Sequence, residues 1–271
     1  MKFNKKLLLI WVGGFLILFV TTVALLAPVI TNEDPNAMLL PKSFEAPSLQ
    51  SLFGRDDNGT SVLAKVIYGA RVSLLVAFTV VGISTIIGLV MGSIAGYFGK
   101  WIDTAIMRFI DMLYAFPNFL LALGLVAVLG PSLQNMILAM CLTSWTGYAR
   151  LVRGEILHLK EKEYVLTAVA LGAPAYRVVF RHLWPNLTGP LVVHASFSMA
   201  GTIDAESGLS FLGLGAPAEV PTWGALLSSG RRILLEAPHV SIFPGLAIVI
   251  LVLGFNLFGD GLRDYLDPKK S

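Results

Sequence analysis

Five stretches of this chain carry no Asp, Glu, Lys or Arg: residues 7–32, 72–99, 112–149, 183–203 and 240–259. A helix needs about 20 apolar residues to cross a hydrocarbon core of about 30 Å, so each stretch can span a bilayer. The third is too long for one helix and holds Gly130-Pro131 near its centre, which divides it into two helices joined by a tight turn. Six transmembrane helices result, and an even number leaves both termini on one side. With 55% hydrophobic and only 14% charged residues, the chain reads as an all-α polytopic membrane protein.

Lysine and arginine placement orients it. Fourteen basic residues fall at the N-terminus, in segments 100–111 and 150–182, and after residue 259, whereas the opposite loops, 33–71 and 204–239, hold six. The positive-inside rule places both termini and segment 150–182 in the cytoplasm. The basic pI of 9.0 is therefore a topology signal and gives no support to nucleic-acid binding. Lys2, Lys5 and Lys6 before an apolar run resemble a signal sequence, but the run is long and Ala24-Leu25-Leu26-Ala27 is a poor cleavage site, so an uncleaved anchor is expected.

Segment 150–182 encloses an uncharged stretch, Tyr164 to Tyr176, only about 20 Å long as a helix. Too short to cross, it is expected on the membrane surface, where a helix from Tyr164 to Ala173 offers an apolar face with Tyr164, Val165 and Val169 beside the small residues Ala168 and Gly172. An exposed apolar helix calls for a protein partner. Gly172, two residues before Pro174, also suits a left-handed helix cap.

Ser84, Gly88, Gly92 and Gly96 recur every fourth residue on one face of the second span. Such a stripe lets helices approach closely, either against a partner subunit or within this chain. Asp56-Asp57-Asn58-Gly59 reads as a turn opening a short helix from about Ser61, and it lacks the spacing of a calcium loop. Asp111, before the third span, is expected to cap it. The second outer loop, about 204–239, interleaves Leu209, Phe211, Leu212 and Leu214 with Gly208, Gly213, Gly215, Pro217 and Pro221. That composition predicts irregular backbone folding into the mouth of a pathway or against an external partner.

Enzyme chemistry is missing. His158, His182, His194 and His239 are scattered, with no metal-ligand spacing and no cofactor motif. The nearest approach to a phosphate loop, at Gly99-Lys100, has Ile94 for its first glycine and Trp101 for Ser or Thr. Cys141 is alone and reads as an inert buried thiol. His194, the one ionisable side chain inside a span, reads as a neutral, hydrogen-bonded helix residue. A secondary carrier or channel needs charged groups near the midplane, and the spans offer none, so energy for uphill transport must enter from a cytoplasmic partner.

These residues resemble the dipeptide/oligopeptide/nickel permease family of ABC importers, in particular its C-type permease. The cytoplasmic segment is similar to the family's EAA loop: Ala168 matches the third position, Gly172 the glycine and Pro185 the proline, while Leu166, Thr167, His182 and Trp184 depart. Leu166 replaces the acidic residue. Residues 209–215 (LSFLGLG) with Trp223-Gly224, Glu206, residues 255–268 (FNLFGDGLRDYLDP) and residues 68–76 (YGARVSLLV) are similar to family segments. Residues 54–61 depart at Arg55, Thr60 and Ser61.

The resemblance implies a type I importer permease fold with a cytoplasmic coupling helix. It divides the chain into an anchor helix plus external loop at 1–70 and a five-helix core at 71–271, with the EAA loop at about 150–185. It further implies a second permease as heterodimer partner, two cytoplasmic ABC ATPases, an external solute-binding protein and a bacterial or archaeal cytoplasmic membrane. Residues Tyr164, Val165, Ala168, Val169, Gly172 and Ala173 would couple to an ATPase, and Glu206, Leu209, Phe211, Leu212 and Trp223 would lie at the outer mouth. The expected solute is a di- or oligopeptide, with nickel or a nickel chelate as the alternative; a membrane scaffold is the non-transporting alternative.

Overall fold

The computed structural model describes residues 5–217 and 219–266; Lys2, Ala218 and the tail from residue 267, including Pro268 of the C-terminal motif, lie outside them. The described residues form helices and connections without a strand. In order these are α1 Lys5–Leu25, α2 Ala27–Ile30, α3 Val62–Phe98, α4 Lys100–Tyr114, α5 Asn118–Leu129, α6 Leu133–Leu159, α7 Glu163–Ala170, α8 Ala175–Val178, α9 Trp184–Phe211, α10 Trp223–Arg232 and α11 His239–Leu266. A short 3-10 turn, Leu40–Lys42, lies in the first loop, and a π-helical turn, Val179–Leu183, joins α8 to α9.

Local chemistry sets the boundaries. Ser61 caps α3 by accepting from the Ala64 N–H, and Gly99 ends it at φ +62°. The expected break at Gly130-Pro131 is present. Ser132 caps α6 through the Asn135 N–H at 3.1 Å, while the Asn135 side chain donates back to the Leu129 and Gly130 carbonyls. Thr222 caps α10 in the same way.

Five of the six expected spans appear as α1, α3, α6, α9 and α11; in place of the third, α5 has 12 residues, about 18 Å, too short to cross a bilayer alone. Among the described residues α1, α3 and α11 are long and apolar enough to cross a membrane by themselves, and α4 with α5, bent by 80°, counts as a fourth. Helices α6 and α9, each about 40 Å long, have the reach but are more polar. They turn polar side chains such as Thr143, Thr146, Thr202, Glu206 and Ser210 inward. The division placed at residue 70 falls inside the unbroken α3.

Helices α3, α6, α9 and α11 share one core, in which Leu74, Tyr148, Ile156, Leu187, Ile203 and Leu251 are buried, and α1 packs along α11. Two sequence expectations fail. Asp111 lies in the last turn of α4, where it pairs with Arg150 instead of capping a helix. Residues 204–211, expected to be irregular, continue α9, because Gly208 is the only glycine among them and burial of Leu209 holds the helix together.

Candidate functional site

At one end of the bundle α7 presents its side chains on two levels. Val165 is 1% exposed and anchors the helix in the core, while Tyr164, Leu166, Val169 and Leu171 are exposed, Leu171 at 83%. The helix stops at Ala170, short of the expected Ala173. Gly172 sits beyond it at φ +80° in a Schellman cap: the Gly172 N–H donates to the Val169 carbonyl and the Ala173 N–H to the Ala168 carbonyl. Ala168 and Ala173 are the half-buried pair on which this cap closes. A Cβ on Gly172 would meet nothing within 4 Å, so only its backbone conformation demands glycine.

Two arginines of α6 brace α4. Arg153 donates to both Asp103 oxygens at 2.5 and 2.6 Å, and Arg150 pairs with Asp111 while stacking 4.2 Å over the Tyr114 ring. The π-helical turn lies between α7 and α9, and Trp184 Nε1 ties the start of α9 to Ser93 of α3 at 3.0 Å. Asn186 Nδ2 donates to the His182 carbonyl at 2.7 Å just before the turn closes into α9.

At the opposite end the five outer-mouth residues separate. Glu206 is fully buried, with Ser73 Oγ donating to Oε2 at 2.9 Å and Ser210 Oγ to Oε1 at 2.8 Å, so it joins α9 to α3. Leu209 is buried core. Trp223 is also buried: its Nε1 donates to the Val66 carbonyl at 2.8 Å, and it packs against Gly69. Phe211 is half-buried under Arg231, and only Leu212 stands exposed. Gly213 ends α9 in a second Schellman cap, with the Gly213 N–H on Ser210 and the Leu214 N–H on Leu209.

The first loop closes over this end. Arg55 is buried and donates to the Gly59 carbonyl at 2.9 Å and to Glu33 at 2.6 Å, while His239 Nε2 donates to the Arg55 carbonyl at 3.0 Å. Asp56 accepts from the Asn58 and Thr60 N–H groups, as its turn requires, and pairs with Lys65. The three departures at Arg55, Thr60 and Ser61 thus belong to one local network. In it the Ser61 hydroxyl and then the Arg55 guanidinium hold the Glu33 carboxyl below its usual range, against partial burial.

The stripe of Ser84, Gly88, Gly92 and Gly96 lies against α6 of the same chain, where added Cβ atoms at the glycines would strike Tyr148, Ala149, Val152 and Ile156. Beside this seam, between α3, the α4–α5 elbow, α6 and α9, is a cavity of about 380 Å³. Thr143, Ser144, Gly147 and Tyr148 line it from α6, and His194, Ser198, Gly201 and Thr202 from α9. Of these, only His194 stood out in the sequence. The signal for the rest was the shared helical spacing of small and polar residues on both helices.

Residues 88–271 match the family described as binding-protein-dependent transport system inner membrane component. The chain is 42% identical over 265 residues to the dipeptide transport system permease protein DppC of Alkalihalophilus pseudofirmus, covering 98% of this chain and 87% of that protein. It is 36% identical over 282 residues to the oligopeptide transport system permease protein OppC of Bacillus subtilis, with 99% and 92% covered. Identity to the glutathione transport system permease protein GsiD of Pectobacterium atrosepticum is 40% over 258 residues, with 95% and 86% covered. A structure of the MetNI methionine ABC transporter in inward-facing conformations matches with a TM-score of 0.60 at 18% identity, covering 76% of this chain and 98% of that one, and shows a shared fold. The chain therefore belongs to the family of binding-protein-dependent transport system inner membrane components, the non-enzymatic permease subunits of ABC importers.

Proposed function

We propose that this permease forms, with a second and different permease, the pathway of a peptide importer. A cytoplasmic ATPase docks on α7, and a solute-binding protein delivers peptide to the opposite end. The observation that carries the reading is α7 itself: a helix about 12 Å long, too short to cross a bilayer, anchored by Val165 and showing Leu166, Val169 and Leu171 outward. Such a face needs a protein to cover it. Gly172 and Ala173 shape the end of that surface, and Tyr164 borders it. Leu166 makes this contact apolar where the family's loop carries an acidic residue.

The same reading places α7 and both termini in the cytoplasm, because Arg150, Arg153, Lys160, Lys162, Arg177 and Arg181 cluster at that end. Peptide is favoured over a nickel chelate by the relatives' names, which are those of dipeptide, oligopeptide and glutathione permeases. Exposed Leu212 and half-buried Phe211 are the outer residues left free to meet delivered solute. The test is co-expression with the companion permease, ATPases and binding protein, followed by purification and reconstitution. Dipeptide-stimulated ATP hydrolysis with ATP-dependent uptake is the expected result; hydrolysis that ignores every peptide offered would refute the solute class.

A further inference from the structure

We propose that the face of α4 and α6 carrying Asp111, Tyr114 and Arg150 lines the cytoplasmic half of the pathway, and that the Arg150 guanidinium receives the C-terminal carboxylate of the peptide in transit. This inference rests on the peptide-importer reading above.

Depth is the first observation. Arg150 follows Ala149, the α6 residue on which both Gly88 and Gly92 of α3 close. Those glycines stand about 16 and 10 Å inside the end of the charge-free run 72–99. Asp111 lies about 16 Å along α4 from Lys100, which marks the same end, and α6 runs on for about 13 Å beyond Arg150. The pair is thus held inside the apolar layer. Yet both side chains stay open, Arg150 at 44% and Asp111 at 62% exposure. An arginine can reach back toward the headgroups along its stem, but an aspartate is too short to do so. Charges at this depth face a bundle interior or a water-filled passage and avoid lipid.

The backbone agrees. Helices α4 and α5 meet at 80°, and the break at Ala115, Phe116 and Pro117 is exposed. Broken helix at membrane depth is tolerated only where it is buried in protein or lines a water-filled cavity.

Arg150 also differs from the arginine one turn further along α6. Arg153 spends Nε and Nη2 on the two Asp103 oxygens, a closed pair. Arg150 gives only Nη2 to one Asp111 oxygen, and its Nε and Nη1 donate to no group among the described residues. The Tyr114 ring, its centroid 4.2 Å from the guanidinium carbon, holds the plane of the fork. A planar fork with free N–H groups matches a carboxylate, the group that every peptide with a free C-terminus carries whatever its side chains. Asp111 retains one N–H, so the contact with solute is partial. A passing solute has to leave as readily as it binds.

The test uses the complete transporter in inverted membrane vesicles and the variant Asp111→Cys, which sets a thiol beside Arg150. Two water-soluble probes are compared, the anionic sulfonatoethyl and the cationic trimethylammonioethyl methanethiosulfonates. Both should label the thiol, and the anionic-to-cationic rate ratio should exceed that of Asp111→Cys/Arg150→Gln by about fivefold or more. Excess L-alanyl-L-alanine should slow the anionic probe, and L-alanyl-L-alaninamide, which lacks the carboxylate, should not. In proteoliposomes Arg150→Gln should lower the maximal rate of ATP-driven L-alanyl-L-alanine uptake by about tenfold or more, and Arg150→Lys should recover part of it. The half-saturation concentration, set by capture on the binding protein, should not move. Absence of labelling by either probe overturns the proposal, by placing this face against lipid or the companion permease. A rate ratio that ignores Arg150, equal protection by the dipeptide and its amide, or undiminished uptake in Arg150→Gln overturns it as well. If the unaltered transporter imports only a non-peptide solute while the charge ratio at Asp111→Cys holds, the peptide-importer reading fails and the anion-accepting lining stands.

Discussion

Gly92 packs so closely on α6 that a Cβ built there would lie 2.5 Å from the Ala149 carbonyl oxygen and 2.7 Å from Val152 Cβ. Backbone cannot yield to that, so Gly92→Val should destabilise the detergent-solubilised subunit by about 1–3 kcal/mol, as overpacking does. Gly82, on the same helix, has nothing within 4 Å of its missing Cβ. Gly82→Ala should stabilise by about 0.5–1 kcal/mol through helix propensity alone. Thermal unfolding of the pair separates packing from composition; equal midpoints would show that the seam tolerates a side chain. Glu33 supplies a second, pH-dependent case. Its carboxyl is held low in the folded chain, so its contribution is present above the ordinary carboxylate range and is lost as pH falls through the lowered folded value. Acidification should therefore speed hydrogen exchange in residues 39–60, and Glu33→Gln should show the faster exchange already at neutral pH. Identical exchange profiles across pH in both proteins would remove Glu33 from the network.

At the scale of elements, helix ends were legible where one residue decides them. Leu171-Gly172 and Leu212-Gly213 both build Schellman caps, and the glycine with the following Pro174 announced the first. The second was hidden because the neighbouring glycines and prolines made all of 204–239 look irregular, whereas they act beyond Phe211 and at the α9–α10 contact. There a Cβ on Gly224 would lie 2.1 Å from the Ser207 carbonyl oxygen. Trp223 likewise looked like a mouth residue and is a buried anchor, since a sequence shows that an indole is present but not which carbonyl it will reach. Helix α7 carries the element-scale prediction. Leu171→Asp places a carboxylate where an ATPase groove would have to desolvate it, so ATPase co-purification and peptide-stimulated hydrolysis should fall more than about tenfold while insertion is unaffected. Val165→Ala should instead lower the thermal midpoint by opening a core void, with docking retained. Wild-type hydrolysis in Leu171→Asp would show that α7 is not the coupling surface.

For the whole molecule, apolar runs and basic residues carry different information. The runs mark where the apolar helices lie, because desolvating backbone in lipid leaves the chain little else to form, but α3 begins ten residues before its run and α4, the charged helix before α5, lies mostly outside any run. They could not reveal the cavity, which is made by α3, the α4–α5 elbow, α6 and α9 converging from positions 81 to 205, nor the ties of Arg150 and Arg153 to α4, which cross about 40 to 50 residues of sequence. Orientation is a property of the assembled whole, since every loop must agree with it. Leu49, in the first loop, is 98% exposed, and Glu161, beside α7, is also exposed. The native Cys141 is buried, so it adds little background to thiol labelling. In intact cells Leu49→Cys should react with a membrane-impermeant maleimide and Glu161→Cys should react only after permeabilisation. The bias of fourteen basic residues against six demands that order. Labelling of Glu161→Cys from outside would invert the chain, and α7 could not then meet a cytoplasmic ATPase. The same experiment therefore tests the orientation on which the docking of α7 depends.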